Sequence, residues 1–250
     1  MSLETSLDDG VAVITLNWPE RRNALTPDDG RELGILIEDL SLNGTANVIV
    51  LTGNGAFCSG GHLDSLSERA TRTAHDHRRS IASGPQRAIR AIVSSPIPVL
   101  AAIDGPAVGL GLDLALACDH RLVGPSGWLM QGWGRIGVIP GTGGVLLLRR
   151  LNPTVLWRLL ATQERLDGPA AERLGLAQSV VDGRALDAAM TQAASLARQP
   201  REVLELYVAL HRGDLRAGIL DHLDMCAREE SQLLADPALA DRIARLRNTN

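Results

Sequence analysis

The sequence predicts an α/β fold whose last third is helical, and three observations carry that reading. Two short, wholly apolar segments, Val48–Leu51 and Val99–Ile103, have the character of strands buried on both faces, as in parallel sheets. Each runs into a glycine-rich turn that leads toward a helix start, near Gly60-Gly61 after the first and near Gly109 to Gly111 after the second. From about Asn152 onward the pattern is mostly helical, with Leu186, Met190, Ala193 and Leu196 at helical spacing.

Taken in order, Val11–Leu16 reads as a strand, and the Asp9-Gly10 turn signal before it suggests a hairpin with Leu3–Ser6. After the polar loop Asn17–Asn23, Thr26-Pro27 reads as an N-cap with proline at the first helical position, opening a helix to about Leu40. A polar stretch reaching Gln86 holds His75, Asp76, His77 and consecutive arginines, and reads as part helix and part mobile loop. Beyond the second buried strand come an apolar helix, Leu112–Ala117, a strand around His120–Val123, and glycine-rich turns from Gly132 to Gly144. The helices of the last third are expected at Pro153–Ala161, Pro169–Leu174, Leu186–Leu196, Arg201–His211, and Leu215 to the C-terminus. The chain thus divides into a core, residues 1–190, and a C-terminal helical oligomerisation region, residues 191–250.

Composition narrows the function. A chain of 250 residues, 45% hydrophobic and 22% charged, suits one large soluble domain. A net charge of -4 argues against nucleic-acid binding, which calls for a basic face. All 25 basic residues are arginine, which excludes a lysine Schiff base and a phosphate loop ending in Gly-Lys-Ser/Thr. Three widely spaced cysteines imply no disulfide framework, and no His/Cys cluster has metal-site spacing. No apolar signal core and no membrane-length apolar run is seen, so a cytoplasmic location without membrane attachment is expected.

A strand feeding a glycine-rich turn that opens a helix leaves backbone N–H groups unpaired, with the helix dipole behind them. Glycine lets that backbone approach a ligand closely. One such turn suits a phosphate; two that converge suit a carbonyl oxygen gaining negative charge, an oxyanion hole.

Five segments, in order, resemble the crotonase superfamily, the enoyl-CoA hydratase/isomerase proteins, over nearly the whole chain. They are Leu16–Leu25, Ile49–Gly61, Pro98–Gly111, Leu114–Asp119 and Ile136–Gly144. The resemblance implies a crotonase-like spiral of ββα turns followed by a helical region that builds trimers, often paired into hexamers. It implies an acyl-CoA thioester as substrate and no separate cofactor. One oxyanion N–H would come from Gly61, after the run Phe57-Cys58-Ser59-Gly60; the other from Leu110, the middle of Gly109-Leu110-Gly111. Arg21, Arg22 and Ala24, with His62, Leu63 and Asp64, would contact the coenzyme.

The acid/base set departs from the family's. The first hydratase glutamate corresponds to Asp113, a substitution that dienoyl-CoA isomerases resemble. The second corresponds to Trp133, whose indole does not exchange protons usefully at neutral pH. The isomerases' further carboxylate falls at Gly141. The resemblance therefore implies enolate chemistry at a thioester, hydration or isomerisation, with Asp113 as the main proton-transfer group. The alternatives are a non-catalytic acyl-CoA binding or delivery protein, or a crotonase-type decarboxylase or thioester hydrolase.

Plainer readings stand beside these. Asp113 could simply cap or pair at a helix start. Trp133 packs against an acyl chain or serves as a core aromatic. His62 reads as a loop residue facing coenzyme or solvent, and Asp64 as a cap for the next helix. His75 and His77 do not share a helical face and read as a solvated stretch. Arg78 and Arg79 read as surface arginines, and Cys58 and Cys118 as buried small hydrophobes.

Overall fold

Asp9 and Gly10 both take positive φ, which reverses the chain and pairs β1 (Leu3–Asp8) antiparallel with β2 (Val11–Leu16). The structure, a computed structural model, describes residues 3–68 and 72–248. Thr26 caps α1 (Pro27–Leu42) with a reciprocal Thr26/Asp29 capping box, and proline occupies the first turn. The helix delivers the chain to β3 (Val48–Gly53), buried along its whole length and parallel to β2.

Three successive turns then repeat one pattern: a strand of the main sheet, a short crossing segment, a helix. The first is β3, the segment around Cys58, and α2 (Leu63–Glu68), followed by α3 (Ala74–Ser83) and α4 (Pro85–Ser94). The second is β4 (Val99–Ile103), β5 (Pro106–Val108) and α5 (Leu110–Ala117). The third is β6 (His120–Val123), β7 (Trp128–Met130) and α6 (Gly144–Leu151). Next come α7 (Val155–Thr162), β8 (Leu166–Asp167), α8 (Gly168–Arg173), β9 (Gln178–Ser179) and α9 (Ala185–Ala197). Two helices close the chain, α10 (Arg201–Leu234) and α11 (Ala238–Asn248).

The main sheet runs β1-β2-β3-β4-β6-β9, parallel apart from β1, and a smaller sheet runs β5-β7-β8. One face of the main sheet meets α1, α4 and α5 through Ile14, Ile49, Leu51, Ala101 and Ile103. The other carries Val48, Val50, Leu100 and Leu122 against Ala185, Ala189 and Ala193 of α9. Strands covered on both faces have no polar side to alternate with, which is why they read as apolar runs.

The structure corrects the sequence reading in three places. The short strands β5, β7, β8 and β9 were not expected, because two or three residues are too few to show a period. The turns before Gly144 include a 3₁₀ segment, Trp133–Ile136, and lead into a helix that was not expected, α6, ahead of the expected one, which is α7. The two helices expected on either side of Gly213 are one, α10. Glycine inside a helix costs about 1 kcal/mol, and the contacts of its neighbour Arg212 hold the helix across it.

Arg212 is 1% exposed and grips both carboxylate oxygens of Asp119. Its Nη1 donates to the carbonyls of Ile92, Val93 and Ser95 at the end of α4. Arg216, one turn on, donates to Val93 and Ser95 as well. These carbonyls lie at and just past the end of α4, where a helix leaves groups without intrahelical partners, so the pair of arginines fastens α10 to α4 and to the start of the sheet. Replacing Arg212 with Ala strands Asp119 and the carbonyls together. We expect Arg212→Ala to lower the unfolding free energy by about 3–5 kcal/mol, read from a shift of the urea midpoint.

Candidate active site

The two glycine-rich turns are joined directly. Cys58 N–H donates to the Pro106 carbonyl at 3.0 Å, and Val108 N–H donates to the Cys58 carbonyl at 3.0 Å. Gly111 sits over that same carbonyl: a Cβ there would lie 2.0 Å from the Cys58 oxygen, so only glycine permits the approach. Gly60 turns the first segment with φ of +110°. On its inner edge, Leu25 N–H donates to Gly60 and His62 N–H donates to Leu25, which directs the intervening Gly61 N–H the other way.

The N–H groups of Gly61 and Leu110 have no hydrogen-bond partner among the described residues, and both residues line one cavity of about 60 Å³. Leu110 is the first residue of α5, so no carbonyl within its helix lies one turn back to receive its N–H. The cavity is otherwise mainly apolar, walled by Leu25, Leu66, Ile81, Trp133 and Leu234. Its polar lining includes His62, His77, Thr142 and Glu230. The volume holds a few water-sized groups.

Asp113 is 2% exposed and stands behind this wall. Its Oδ2 accepts from the Trp133 indole N–H at 3.2 Å and from the Thr142 hydroxyl at 2.5 Å. Trp133 and Thr142 both face the cavity, so Asp113 reaches it through them. Burial pushes the Asp113 carboxyl up to about 7, with the two hydrogen bonds opposing.

Glu230, on α10, is a second buried carboxyl, at 4% exposure, and it lines the cavity itself. Burial, with Asp113 adding repulsion, pushes it up to about 8. A Cβ on Gly141 would lie 1.5 Å from Glu230 Oε2, so the carboxyl group occupies the space that a side chain at position 141 would take. Sequence reading missed Glu230, and no local signal marks it. It sits in a long polar helix, far along the chain from every segment that carries the resemblance.

The other site residues divide. His62 lines the cavity, and its Nδ1 accepts from Ser65 N–H at 3.3 Å. His62 therefore caps α2, and Asp64, expected as that cap, is an exposed residue of the first turn. Leu63 packs with the apolar cluster that includes Ile81, Leu234 and Trp133. Arg21 stacks over Trp18 and pairs with Asp29 at 2.9 Å, Arg22 is exposed, and Ala24 is buried. Between them Asn23, also missed, is fully buried at positive φ; its side chain bonds Trp18 N–H and the Asn54 and Ala56 carbonyls. Asparagine tolerates that φ, and this is what ties the entry loop to the first turn. His75 is exposed on α3 and His77 buried. Burial raises the Cys58 and Cys118 thiols to about 12. Among the described residues no His/Cys/Asp/Glu group could hold a metal ion, and no helix is long and apolar enough to cross a membrane.

A spiral of ββα turns with two free backbone N–H groups facing one cavity defines a class of protein, the crotonase fold. Residues 6–235 match the enoyl-CoA hydratase/isomerase family model, and the chain belongs to that family. A probable enoyl-CoA hydratase of Mycobacterium tuberculosis is 35% identical over 218 residues, 86% of this chain and 83% of its own. The 1,2-epoxyphenylacetyl-CoA isomerase of Escherichia coli is 31% identical over 197 residues, covering 78% and 75%. The crystal structure of an enoyl-CoA hydratase/isomerase from Mycobacterium paratuberculosis superposes with a TM-score of 0.89 over 98% of both chains at 25% identity.

The two raised carboxyls set a pH dependence. Each holds its proton in the folded protein above the range where an unfolded chain releases it. Folded molecules therefore bind more protons between about pH 4 and about pH 8, and stability falls as pH rises through that window. The melting temperature is expected to fall from about pH 5 to about pH 9 in the wild type and less steeply in Glu230→Gln. Parallel profiles from calorimetry would show that Glu230 keeps an ordinary carboxylate pKa.

Proposed function

We propose that this protein is an acyl-CoA enzyme that moves a proton beside a thioester carbonyl, and that its reaction is double-bond isomerisation of a short enoyl-CoA. The observation that carries the proposal is the pair of unpaired N–H groups, Gly61 and Leu110, on one cavity. A thioester oxygen seated between them gains negative charge as the adjacent carbon loses its proton. Preorganised donors favour that enolate far more than they favour the neutral carbonyl; one such donor contributes about 100- to 1000-fold in rate. Asp113 supplies a buried proton store joined to the cavity through the Thr142 hydroxyl. Isomerisation needs a proton removed and returned, without the positioned water that hydration demands, and Trp133 stands where a second glutamate would hold that water.

The small cavity suits a short acyl group. Arg22 and His62, at the mouth of the first turn, are the proposed coenzyme contacts, with Arg21, Ala24, Leu63 and Asp64 shaping the loops that carry them. The exposed Leu206, Tyr207 and Leu210 on α10 (65%, 70% and 82%) support a further proposal, that this helix packs against another copy of the chain in a trimer or a dimer of trimers.

A second reading has its own observation: Trp133 occupies Asp113 Oδ2, which suits an acyl-CoA binding or delivery protein without turnover. The test is but-3-enoyl-CoA, followed by the rise of conjugated enoyl absorbance, with crotonyl-CoA hydration as the companion assay. The isomerase reading expects turnover of the first exceeding that of the second, and a loss of at least tenfold in Asp113→Asn. Tight binding of both thioesters by calorimetry with turnover of neither would establish the binding protein instead.

A further inference from the structure

Four charged side chains are buried among the described residues, and three of them are well served. Arg121 donates to the Leu176, Ala115 and Cys118 carbonyls, Arg212 to Asp119 and the end of α4, and Asp113 accepts from Trp133 and Thr142. Glu230 is the fourth. No hydrogen bond from any described residue ends on its carboxylate, and what it faces is the cavity shared with Gly61 and Leu110. A buried carboxyl without a partner costs stability and calls for an explanation. A structural carboxyl would be met by a donor; a carboxyl that works on a ligand is left open on the ligand's side.

Its placement is fixed from several directions. Gly141 has no side chain, and the Glu230 carboxyl fills that volume. The Gln86 amide donates to the Gly141 carbonyl and to the Leu223 carbonyl, each at 2.7 Å, so the loop and α10 are held to one another within two helical turns of Glu230. A side chain on a pinned helix keeps its geometry better than one on a loop.

We propose that Glu230 is a catalytic residue, the group that takes the proton from the carbon beside the thioester carbonyl and returns it two carbons further along. This rests on the acyl-CoA reading above. The carboxylate forms an O–H bond as the C–H bond breaks, and the electron pair passes into the carbonyl oxygen held by Gly61 and Leu110. The carboxylic acid then gives the same proton to the terminal carbon of the dienolate as the double bond shifts, and the carboxylate is regenerated. No water, metal or second substrate is consumed. The elevated affinity of Glu230 for protons fits the return step, because a base that is too weak cannot abstract and one that never releases cannot finish. Asp113 then acts as a positioning residue through Thr142 and Trp133.

The experiment is proton exchange at the carbon beside the carbonyl of butyryl-CoA in D₂O, read by mass spectrometry, with butyryl-CoA affinity measured by calorimetry. Butyryl-CoA has no double bond to move, so the readout isolates the abstraction step. Glu230→Gln is expected to slow exchange by about 100- to 10,000-fold while affinity changes by less than about threefold. Exchange in Glu230→Gln within about threefold of the wild type, beside a wild type that exchanges, overturns the role of Glu230 and leaves the acyl-CoA reading standing. A wild type that binds butyryl-CoA and exchanges nothing overturns both. Should Glu230→Gln fail to fold, Gly141→Ala decides: its Cβ displaces the Glu230 carboxyl, so exchange at least tenfold slower supports the proposal and unchanged exchange overturns it.

Discussion

The active region depends on one close approach, the backbone of Cys58 against that of residues 106–111. Two hydrogen bonds join these stretches, and Gly111 lies on the Cys58 carbonyl at a distance no Cβ tolerates. Neither turn makes a site alone. Each ends in a helix start with spare N–H groups, which in a soluble protein water would satisfy. Joined, the turns bring two of those groups to one small, mainly apolar cavity. There a hydrogen bond to a developing charge is worth more than it would be in water.

The spiral architecture is what makes the approach possible. Successive strands β3, β4 and β6 lie side by side in the main sheet, so the turns that follow them emerge side by side as well. The Cys58 segment, β5 and β7 pair with one another in turn, as Cys58 with Ala107 and Val108 with Met130. The glycines can then be read as spacing devices. Gly60 permits the reversal, and Gly111 sets how near the second turn comes.

The parts of this arrangement that were legible in the sequence were the local ones. Apolar runs gave β3 and β4, Thr26-Pro27 gave the start of α1, and the ordered motifs gave the fold and the family. Gly61 and Leu110 were named through the resemblance, and both line one cavity. What escaped was long-range. Arg212 looked like one arginine among many beside a helix-breaking glycine, because its partners at Asp119 and the end of α4 are remote in sequence. Asn23 looked like part of a polar loop, since only its three bonds across the loop reveal that it is buried. Glu230 was invisible for the same reason: its burial is created by α3, the Trp133 turn and the Gly141 loop together, not by its own helix.

The segment Gly141-Thr142-Gly143-Gly144 shows how a motif can be read correctly as a turn and still be misunderstood. A Cβ at Gly141 would collide with Glu230, and one at Gly144 would lie 2.1 Å from Asp113 Oδ1. Thr142, between them, donates to Asp113. The loop is therefore a cradle for two carboxyls, one arriving from α5 and one from α10, with a glycine vacating space for each. Burial raises the hold of both acids on their protons, and at Glu230 the nearby Asp113 adds to it. Burial thus leaves a carboxyl group with a raised proton affinity on the wall of the cavity that Gly61 and Leu110 also line. The absence of a side chain at position 141 is thus the condition for the Glu230 carboxyl to occupy its place.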